Sequence, residues 1–310
     1  MDSYNLTVGI PVYNEKESIK KCLEAIRLSD LPERTQIIIC DNGSTDGNLE
    51  IIRENKGLEI KIVQESAIGK VFVMNKIIAE SLSDYIIFCD ADILVERQTF
   101  KKMADELKAS GSHVLGINLT DISKDSFFTW YYRQFGKIKD HSLDKSLIWG
   151  GCFGISKSKF IKLPPVLSID YFISAYYYVH DQGAALVDGS ICAYYKRVNT
   201  FTDVIAKRIR NRLKYLQVID KFPELSRFPY KAKARVNYHA VGQNLSLGTL
   251  SVCLLNSLFN ATASIIGTVI FYLKLKNVGC TWKKSISTTL ADISSADLEN
   301  GTGSNDGNKL

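Results

Sequence analysis

Short apolar runs alternate with amphipathic patterns through the first third of the chain. The alternation predicts four strands, in the segments LTVGIPVY, TQIIICDNGS, EIKIVQE and DYIIFCDADI. The intervening segments ESIKKCLEAIRLS, DGNLEIIRENK and KVFVMNKIIAESL carry apolar residues at helical spacing. Strands separated by helices of this length form right-handed crossovers. We therefore expect an α/β, Rossmann-like fold with a mostly parallel mixed sheet and helices on both faces.

The middle of the chain is less regular. TFKKMADELKASG predicts a helix, WGGCFGISKSKF a turn, and AALVDGSICAYYKR a strand, with aromatic-rich segments between them. DVIAKRIRNRLKYLQVIDKF predicts a strongly basic helix.

A long segment without formal charge follows, from Val236 to Tyr272, in which His239 is the one residue that could carry a charge near neutral pH. Its apolar part is about the 20 residues that a bilayer crossing requires. Lysines and arginine flank it: Lys231, Lys233, Arg235, Lys274, Lys276, Lys283 and Lys284. A buried helical hairpin and a membrane-associated hairpin or single span both fit this pattern, and the basic flanks favour the membrane.

Composition indicates the kind of partner and the cellular compartment to expect. The 310 residues carry a net charge of +6, which suits an anionic partner such as a nucleotide or a phospholipid head group. The seven cysteines are scattered without a Cys-x-x-Cys pair, which favours reduced thiols in a cytosol over disulfides or a zinc site. The N-terminal residues show no signal-peptide pattern. We expect a cytoplasmic location.

Polar clusters follow three of the predicted strands: PVYNE at 11–15, DNGSTDG at 41–47 and DAD at 90–92. Ligands of parallel sheets bind beyond the carboxyl ends of the strands. In an extended chain Asp90 and Asp92 project to the same side, roughly 7 Å apart at Cα. Two such carboxylates suit Mg²⁺ or Mn²⁺ whose other ligands come from a diphosphate, although one of them could instead cap a turn or pair with a lysine.

The ordered motifs VGIPVYNEKESI, IIICDNGSTDG, GKVFVMN and IIFCDAD resemble those of the family 2 glycosyltransferases, inverting nucleotide-sugar enzymes of GT-A fold. The resemblance covers roughly residues 5–215. It implies a nucleoside pocket lined by Pro11, Tyr13 and Glu15. Asn42 replaces the second aspartate of the family's DDGS element.

The same resemblance implies the remaining donor contacts. Asp41 would accept a hydrogen bond from the base, and Lys70 would lie near nucleotide or phosphate. Asp90 would contact the ribose or the metal, Asp92 would ligate the metal, and Ala91 lies between them.

The resemblance also implies a catalytic base in a turn that leads into a helix. Asp170 in LSIDYFIS fits this position, with Ile169 in place of the family's glutamate. Asp170 could instead be only an N-cap. Asp181 and Asp188 are fallback candidates.

On the acceptor side, LIWGGCFGIS resembles the family's acceptor turn. Gly150 and Gly151 permit close backbone approach, and Trp149 offers an apolar face to a sugar, although a core aromatic residue fits equally. Arg210 matches the arginine of the Gln-x-x-Arg-Trp element of processive relatives, but Lys207 and Asn211 replace its glutamine and tryptophan. That departure argues against a polymerase. Arg210 could bind a diphosphate or lipid phosphate, or lie on a solvated basic face.

The sequence thus predicts an inverting glycosyltransferase that uses a UDP- or GDP-sugar and a divalent metal. The expected acceptor is a lipid-linked or cell-surface glycan at the cytoplasmic membrane face, with no nucleic-acid partner. We expect a catalytic domain at 1–225, a membrane-associated helical region at 226–284 and a disordered tail at 285–310.

Two alternatives remain. One is a catalytically impaired nucleotide-sugar-binding protein, which Ile169 and Asn42 would permit. The other is a sugar-phosphate nucleotidyltransferase, which would want a Gly-rich basic loop after the first strand. A dinucleotide dehydrogenase is excluded, because no G-x-G-x-x-G follows a strand.

Overall fold

A computed structural model describes residues 4–138, 148–180, 185–228, 237–243 and 246–273. The predicted elements of the first third are confirmed. The strands are β1 (Leu6–Val12), β2 (Thr35–Asp41), β3 (Ile60–Gln64), β4 (Tyr85–Cys89), β5 (Leu94–Val95), β6 (Val114–Asp121), β7 (Cys152–Ser156) and β8 (Ala185–Tyr195). The helices are α1 (Lys16–Arg27), α2 (Asn48–Arg53), α3 (Lys70–Glu80), α4 (Thr99–Ser110), α5 (Phe127–Ile138), α6 (Ile169–His180), α7 (Phe201–Lys221), α8 (Tyr238–Gln243) and α9 (Leu247–Leu273). A 3-10 helix, Pro223–Arg227, follows α7.

The described strands form one mixed sheet in the order β3-β2-β1-β4-β7-β6-β8-β5. β1 pairs in parallel with β2 and β4, and β2 pairs in parallel with β3. The carboxyl ends of β1, β2 and β4 therefore meet at one edge of the sheet, as the sequence predicted.

β7 corrects one sequence interpretation. Its residues were predicted as part of a turn, but they form a strand antiparallel to both β4 and β6. In that register Cys152, the first residue of β7, lies opposite Cys89, the last residue of β4. The segment that precedes β7 is consequently brought to the carboxyl end of β4.

Helices cover both faces of the sheet, and two hydrophobic clusters result. One contains α1 and α4 with residues of β1, β2 and β4 that point to the same face, including Ile10, Ile39 and Ile87. The other contains α3 and α6 with the alternate residues of β2 and β4, including Ile38 and Phe88. This alternation is why the strands read as continuous apolar runs.

α9 packs on the outside of this layered body. A third cluster joins it to α5 and α7 through residues such as Phe128, Val204 and Phe259. By length and composition α9 could cross a membrane, although only 28% of its most apolar stretch is buried in the protein. The tail predicted to be disordered, 285–310, lies outside the described residues.

Candidate functional site

Two loops are locked together at the carboxyl edge of β1 and β2. Asn14 adopts a left-handed backbone conformation, with φ of 53°, and its Oδ1 accepts a hydrogen bond from the Thr45 N–H at 2.8 Å. The Ser44 hydroxyl accepts two hydrogen bonds, one from the Asn14 N–H and one from the side-chain amide of Asn48, each at 2.9 Å. Asparagine tolerates positive φ, so its occurrence in PVYNE is a sequence signal for this lock that the motif comparison did not use.

Asp41 lies at the end of β2 and is 1% exposed. Its Oδ2 accepts from the Gly43 and Ser44 N–H groups at 3.1 and 3.2 Å. Its Oδ1 is buried and has no hydrogen-bond partner within the described part of the chain. A buried acceptor of this kind is costly unless a ligand supplies a donor.

A cleft of about 410 Å³ opens at the ends of β2 and β3, next to Gly43, whose N–H donates to Asp41. It is lined by Gly43, Gln64, Glu65, Ser66 and Lys76.

Asn42 explains the departure from the family's aspartate pair. Its Nδ2 donates to the Glu65 and Ala67 carbonyls at 2.9 Å each, and its Oδ1 accepts from the Gly69 N–H at 2.8 Å. An aspartate in this position has no N–H to donate to the two carbonyls. Asn42 thereby fixes the loop that leads to Lys70.

The DAD segment forms a turn rather than a continuation of β4. The Ile93 N–H donates to the Asp90 carbonyl at 3.0 Å, and the Asp90 N–H donates to the Gly151 carbonyl at 2.8 Å. The sequence argument from an extended chain was therefore wrong about the backbone path. Ala91 is buried within the turn, and Asp90 and Asp92 are half-buried.

We call the carboxyl edge of β1, β2 and β4, with the loops that follow these strands, the rim. Lys70, at the start of α3, connects Asp90 with the segment before β7 on this rim. Its Nζ lies 2.5 Å from Oδ1 and 2.6 Å from Oδ2 of Asp90, and only the second contact has the direction of a hydrogen bond. The same ammonium donates to the Gly150 carbonyl at 3.0 Å. Burial raises the pKa of Asp90 to about 7, Lys70 opposes that shift, and the neighbouring Asp92 carboxylate adds to it.

These residues fit a divalent cation that shares its coordination with a diphosphate. Two carboxylates crowd one turn, and their repulsion adds to the burial that raises the pKa of Asp90. Among the described residues no group of three or more His, Cys, Asp or Glu could hold a metal ion. A cation here would take further oxygen ligands from a bound nucleotide or water, as Mg²⁺ does in phosphate sites.

Asp170 lies in the first turn of α6, immediately beside Gly150. A Cβ on Gly150 would meet the Asp170 Cβ at 3.2 Å and its Cγ at 3.6 Å. The Ser168 hydroxyl donates to Asp170 Oδ1 at 2.7 Å, and Ser168 also precedes α6 in the N-cap position. The side chain of Asp170 is therefore oriented by a neighbour and is not itself the cap.

The other predicted residues lie on the same rim. Pro11 is buried near the end of β1, Tyr13 is half-buried in the following loop, and the Glu15 carbonyl accepts the first backbone hydrogen bonds of α1. Trp149 packs partly against the second hydrophobic cluster. A Cβ on Gly151, the residue before β7, would lie 3.0 Å from the end of the Ile93 side chain, which would have to move by a few tenths of an ångström.

Arg210 lies on α7. Arg208 and Arg212 both contact α9, so Arg210, two residues from each, points to the other side of the helix. Gln217, one heptad later on that side, accepts from the Leu167 N–H at 2.8 Å, just before Asp170. Burial lowers the pKa of Arg210, and Asp203 opposes that shift.

The fallback bases differ in their setting. Asp188 lies within β8, where its Oδ1 accepts from the backbone and the hydroxyl of Ser190. Asp181 lies outside the described residues.

Comparisons with known proteins agree with this arrangement. The model of glycosyl transferase family 2 matches residues 7–164. The chain is 33% identical over 119 residues to glycosyltransferase AglE of Haloferax volcanii and 36% identical over 104 residues to glycosyltransferase SunS of Bacillus subtilis. These alignments cover 37% and 33% of this chain, and the chain spans only 39% and 24% of the two relatives.

Two solved structures share the fold at low sequence identity. The mannosyltransferase PcManGT from Pyrobaculum calidifontis, in complex with GDP-Man and Mn²⁺, has a TM-score of 0.61 at 16% identity and covers 89% of each chain. TarS of S. aureus in complex with UDP-GlcNAc has a TM-score of 0.53 at 16% identity, covering 87% of this chain and 85% of that one.

The sheet and its rim therefore have the GT-A architecture that the sequence predicted, and that prediction is confirmed. The chain belongs to glycosyl transferase family 2. The class of enzyme predicted from the sequence, a glycosyltransferase, is the class of its named relatives.

Proposed function

We propose that this protein is an inverting glycosyltransferase that moves a sugar from a UDP- or GDP-sugar to an acceptor hydroxyl with Mn²⁺ or Mg²⁺. One observation carries the proposal: Lys70 joins Asp90 to the Gly150 carbonyl, and Asp170 packs against Gly150. The pair of acidic residues suited to a metal diphosphate and the carboxylate suited to a base are thus neighbours. Transfer of a sugar between a leaving diphosphate and a hydroxyl needs both in one place.

The donor half comprises the edge of β1, β2 and β4. The unpartnered Oδ1 of Asp41 would accept a hydrogen bond from the nucleobase, and the cleft that Gly43 lines would hold part of the nucleoside. Pro11, Tyr13 and Glu15 would border the nucleoside. Lys70 would donate to a phosphate oxygen. The hydrogen bond between Asn42 and the Gly69 N–H fixes the residue before Lys70 and so positions Lys70 for this contact.

The metal ligands would be Asp92 and Asp90, in the turn that contains Ala91. When bound, the cation supplies charge neutralisation for the diphosphate and stabilises it as a leaving group.

The acceptor half comprises Asp170 and the segment before β7. Asp170 would take the proton of the attacking hydroxyl, with its carboxylate held by the Ser168 hydroxyl at 2.7 Å. Trp149 would offer a ring face to the acceptor, and Gly150 and Gly151 keep the approach open. Arg210, on the face of α7 that leads to the Asp170 loop, would bind an acceptor phosphate.

The neighbours' ligands support the choice of donor. PcManGT and TarS were solved with GDP-Man and UDP-GlcNAc, respectively, which are both nucleotide diphosphate sugars. We propose the same donor class here and a lipid-linked or cell-surface glycan as acceptor, at the cytoplasmic face of a membrane. The free cysteines agree with a reducing compartment, since Cys22, Cys40, Cys89 and Cys152 are buried thiols.

A screen of UDP- and GDP-sugars tests the donor. We expect one of them to raise the melting temperature in the presence of Mn²⁺, and chelation to remove the effect. Asp92→Ala should abolish this metal-dependent binding, measured by calorimetry. Tight Mn²⁺-dependent binding by that variant would contradict the assignment of Asp92.

Asp170→Asn tests the catalytic step. The variant should bind the donor normally but lose about 10²–10⁴-fold in turnover, which is the usual contribution of a general base. Asp188→Asn is the matched control and should keep wild-type turnover. If the wild type binds a donor but transfers to no acceptor, the protein is a binding member of the family. If Asp170→Asn turns over normally, Asp170 is not the base.

A further inference from the structure

One face of α9 is apolar and exposed along the whole helix. Its large side chains recur at helical spacing and are exposed by 48–85%: Leu247, Leu254, Leu258, Ile265, Val269 and Tyr272. At 1.5 Å per residue the 27-residue helix is roughly 40 Å long. We call these six residues the apolar face of α9. Soluble monomers seldom expose a continuous apolar surface of this extent.

Aromatic side chains extend this surface at the N-terminal end of α9. Phe127 and Trp130 of α5 are exposed, and their rings lie 5.8 Å apart. Trp130 approaches Gly248, where an added Cβ would lie 3.4 Å from its ring. Phe201 is 60% exposed and packs edge-on against Phe259 of α9. Tryptophan is the side chain most typical of the boundary between lipid head groups and acyl chains.

The opposite face of α9 is bound to the protein from end to end. Its buried residues run from Thr249 to Phe271. Arg208 of α7 donates to Asn256 and Asn260, and Arg212 of α7 donates to the Thr268 hydroxyl at 3.2 Å. α7 therefore lies alongside most of the length of α9.

This attachment decides between two orientations in a membrane. α7 carries eight charged side chains: Asp203, Lys207, Arg208, Arg210, Arg212, Lys214, Asp220 and Lys221. If α9 spanned the membrane with α7 still attached, these charges would enter the hydrocarbon. If α9 separated from α7, Asn256 and Asn260 would be exposed to lipid. Both outcomes are costly, because charges and unpaired polar groups are poorly accommodated there. A helix lying in the membrane plane avoids both.

We propose that α9 lies flat in the surface of an anionic lipid bilayer, with its apolar face inserted below the head groups. This deepens the proposed function by fixing how the enzyme would meet a lipid-linked acceptor. The charge pattern supports a lipid occupant: α9 itself has no charged residue, while Lys231, Lys233 and Arg235 precede it and Lys274 and Lys276 follow it in the sequence. Clusters of Lys and Arg next to a membrane-bound helix attract anionic lipid head groups.

α7 connects this surface to the acceptor half of the site. Its Arg208 and Arg212 hold α9, whereas Gln217 holds the Leu167 N–H and Lys221 the Pro165 carbonyl. Tyr215 lies 5.5 Å from the ring of Tyr171, the residue after Asp170. One helix thus links the lipid surface with the helix of the candidate base, which suits an acceptor whose sugar or phosphate stands above the membrane.

Liposome flotation tests the lipid partner. The full chain should float with vesicles of phosphatidylcholine and phosphatidylglycerol, and less with phosphatidylcholine alone. The double variant Leu258→Asp and Ile265→Asp should reduce the partition coefficient by about tenfold or more, because both side chains lose apolar contact with lipid. Leu82→Asp is the matched control, since Leu82 is exposed by 61% and Leu258 by 60%, but Leu82 lies after α3. It should float like the wild type.

Depth measurement tests the orientation. Single cysteines at Leu247→Cys, Leu258→Cys and Val269→Cys, in a chain with Cys192, Cys253 and Cys280 changed to serine, would carry a fluorophore quenched by nitroxide lipids. A flat helix predicts equal shallow depths at the three positions. A spanning helix predicts that position 258 lies roughly 16 Å deeper along the axis than position 247.

The outcomes separate clearly. Equal shallow depths with loss of flotation in the double variant support the proposal. A deep central position overturns it in favour of a span. Absence of flotation, or a dimer that the double variant disrupts in solution, overturns it in favour of a protein partner. Flotation does not depend on donor binding, so its failure is distinct from failure of the proposed function.

Discussion

The side-chain carbonyl of Asn42 accepts a hydrogen bond from the Gly69 N–H at 2.8 Å. The contact joins the end of β2 to the residue that precedes α3, and the amide nitrogen of Asn42 holds two carbonyls of the same loop. Gly69 has φ of 139°, a backbone conformation that side-chain-bearing residues rarely adopt. Lys70 enters the rim directly from this fixed turn, so Asn42 positions Lys70 without touching it.

Replacing Asn42 with the family's residue should therefore be harmful. Asn42→Asp turns two donated hydrogen bonds into contacts between a carboxylate and carbonyl oxygens. We expect a loss of about 1–3 kcal/mol in the free energy of unfolding and weaker binding of nucleotide diphosphate. Urea unfolding and calorimetry measure the two effects.

Asn5→Asp is the control for that change, because Asn5 donates one exposed hydrogen bond, to the Glu33 carbonyl. It should alter stability by less than about 0.5 kcal/mol. Equal effects of the two substitutions would contradict a special role for Asn42.

Periodicity predicted the parallel half of the sheet well because its signals are local. β1, β2 and β4 are buried on both faces and read as apolar runs between amphipathic helices, while β3, at the edge of the sheet, is only partly buried. β6, β7 and α5 were missed. β7 is short and its partners, β4 and β6, are distant in sequence. α5 is aromatic on several faces because it packs under α9 as well as on the body.

The sequence predicted which residues belong to the rim, but not the backbone path that places them there. The motifs identified Asp90, Lys70 and Asp170 as candidates, and the apolar run before Asp90 suggested that the DAD segment continues the extended strand. The turn at Asp90 depends on its hydrogen bond to Gly151, and the Asp170 position depends on the antiparallel pairing of β7. Such long-range pairings leave no periodic signal in one sequence.

Lys70→Met should shift metal binding and nucleotide binding in opposite directions. In the protein without ligands, the ammonium competes with a metal ion for both oxygens of Asp90. Its removal should tighten binding of Mn²⁺ alone severalfold and weaken binding of the nucleotide diphosphate about tenfold, because a charged donor to phosphate is lost. Titration of Mn²⁺ by electron paramagnetic resonance, with and without nucleotide, separates the two.

Lys61→Met controls for that charge change. Lys61 pairs with Glu80 at 2.7 Å on the surface, away from the rim. It should leave both affinities unchanged. If Lys70→Met moves both affinities in the same direction, Lys70 does not compete for the metal position.

Gly150→Ala should slow turnover more than it weakens donor binding. The new Cβ would lie 3.2 Å from the Asp170 Cβ, so Asp170 must move by a few tenths of an ångström. Displacements near this size reduce catalysis, and we expect about a tenfold fall in kcat with KM for donor nearly unchanged. Gly189→Ala, which meets open space, is the control. A changed KM with an unchanged kcat would place Gly150 at the donor instead.

Arg208 should be the polar residue that attaches α9 most strongly. Its guanidinium donates to Asn256, Asn260 and the Tyr131 hydroxyl, and it lies 5.3 Å from the ring of Phe259. Arg208→Met removes this donor from Asn260 and the Tyr131 hydroxyl in a half-buried setting, whereas Asn256 keeps its hydrogen bond from the Tyr131 hydroxyl at 3.1 Å. We expect a loss of about 1–3 kcal/mol in unfolding free energy. Arg208→Lys should recover only part of it, because an ammonium cannot reproduce the planar fork.

Arg133→Met is the control for Arg208, because Arg133 forms an exposed pair with Asp125 at 2.9 Å. Such surface pairs contribute roughly 0–1 kcal/mol, so the control should change stability little. Hydrogen exchange of α9 amides adds a local readout. Exchange should accelerate in Arg208→Met and stay normal in Arg133→Met, because α7 holds α9 through Arg208. Unchanged exchange in Arg208→Met would mean that apolar packing alone keeps α9 on the protein.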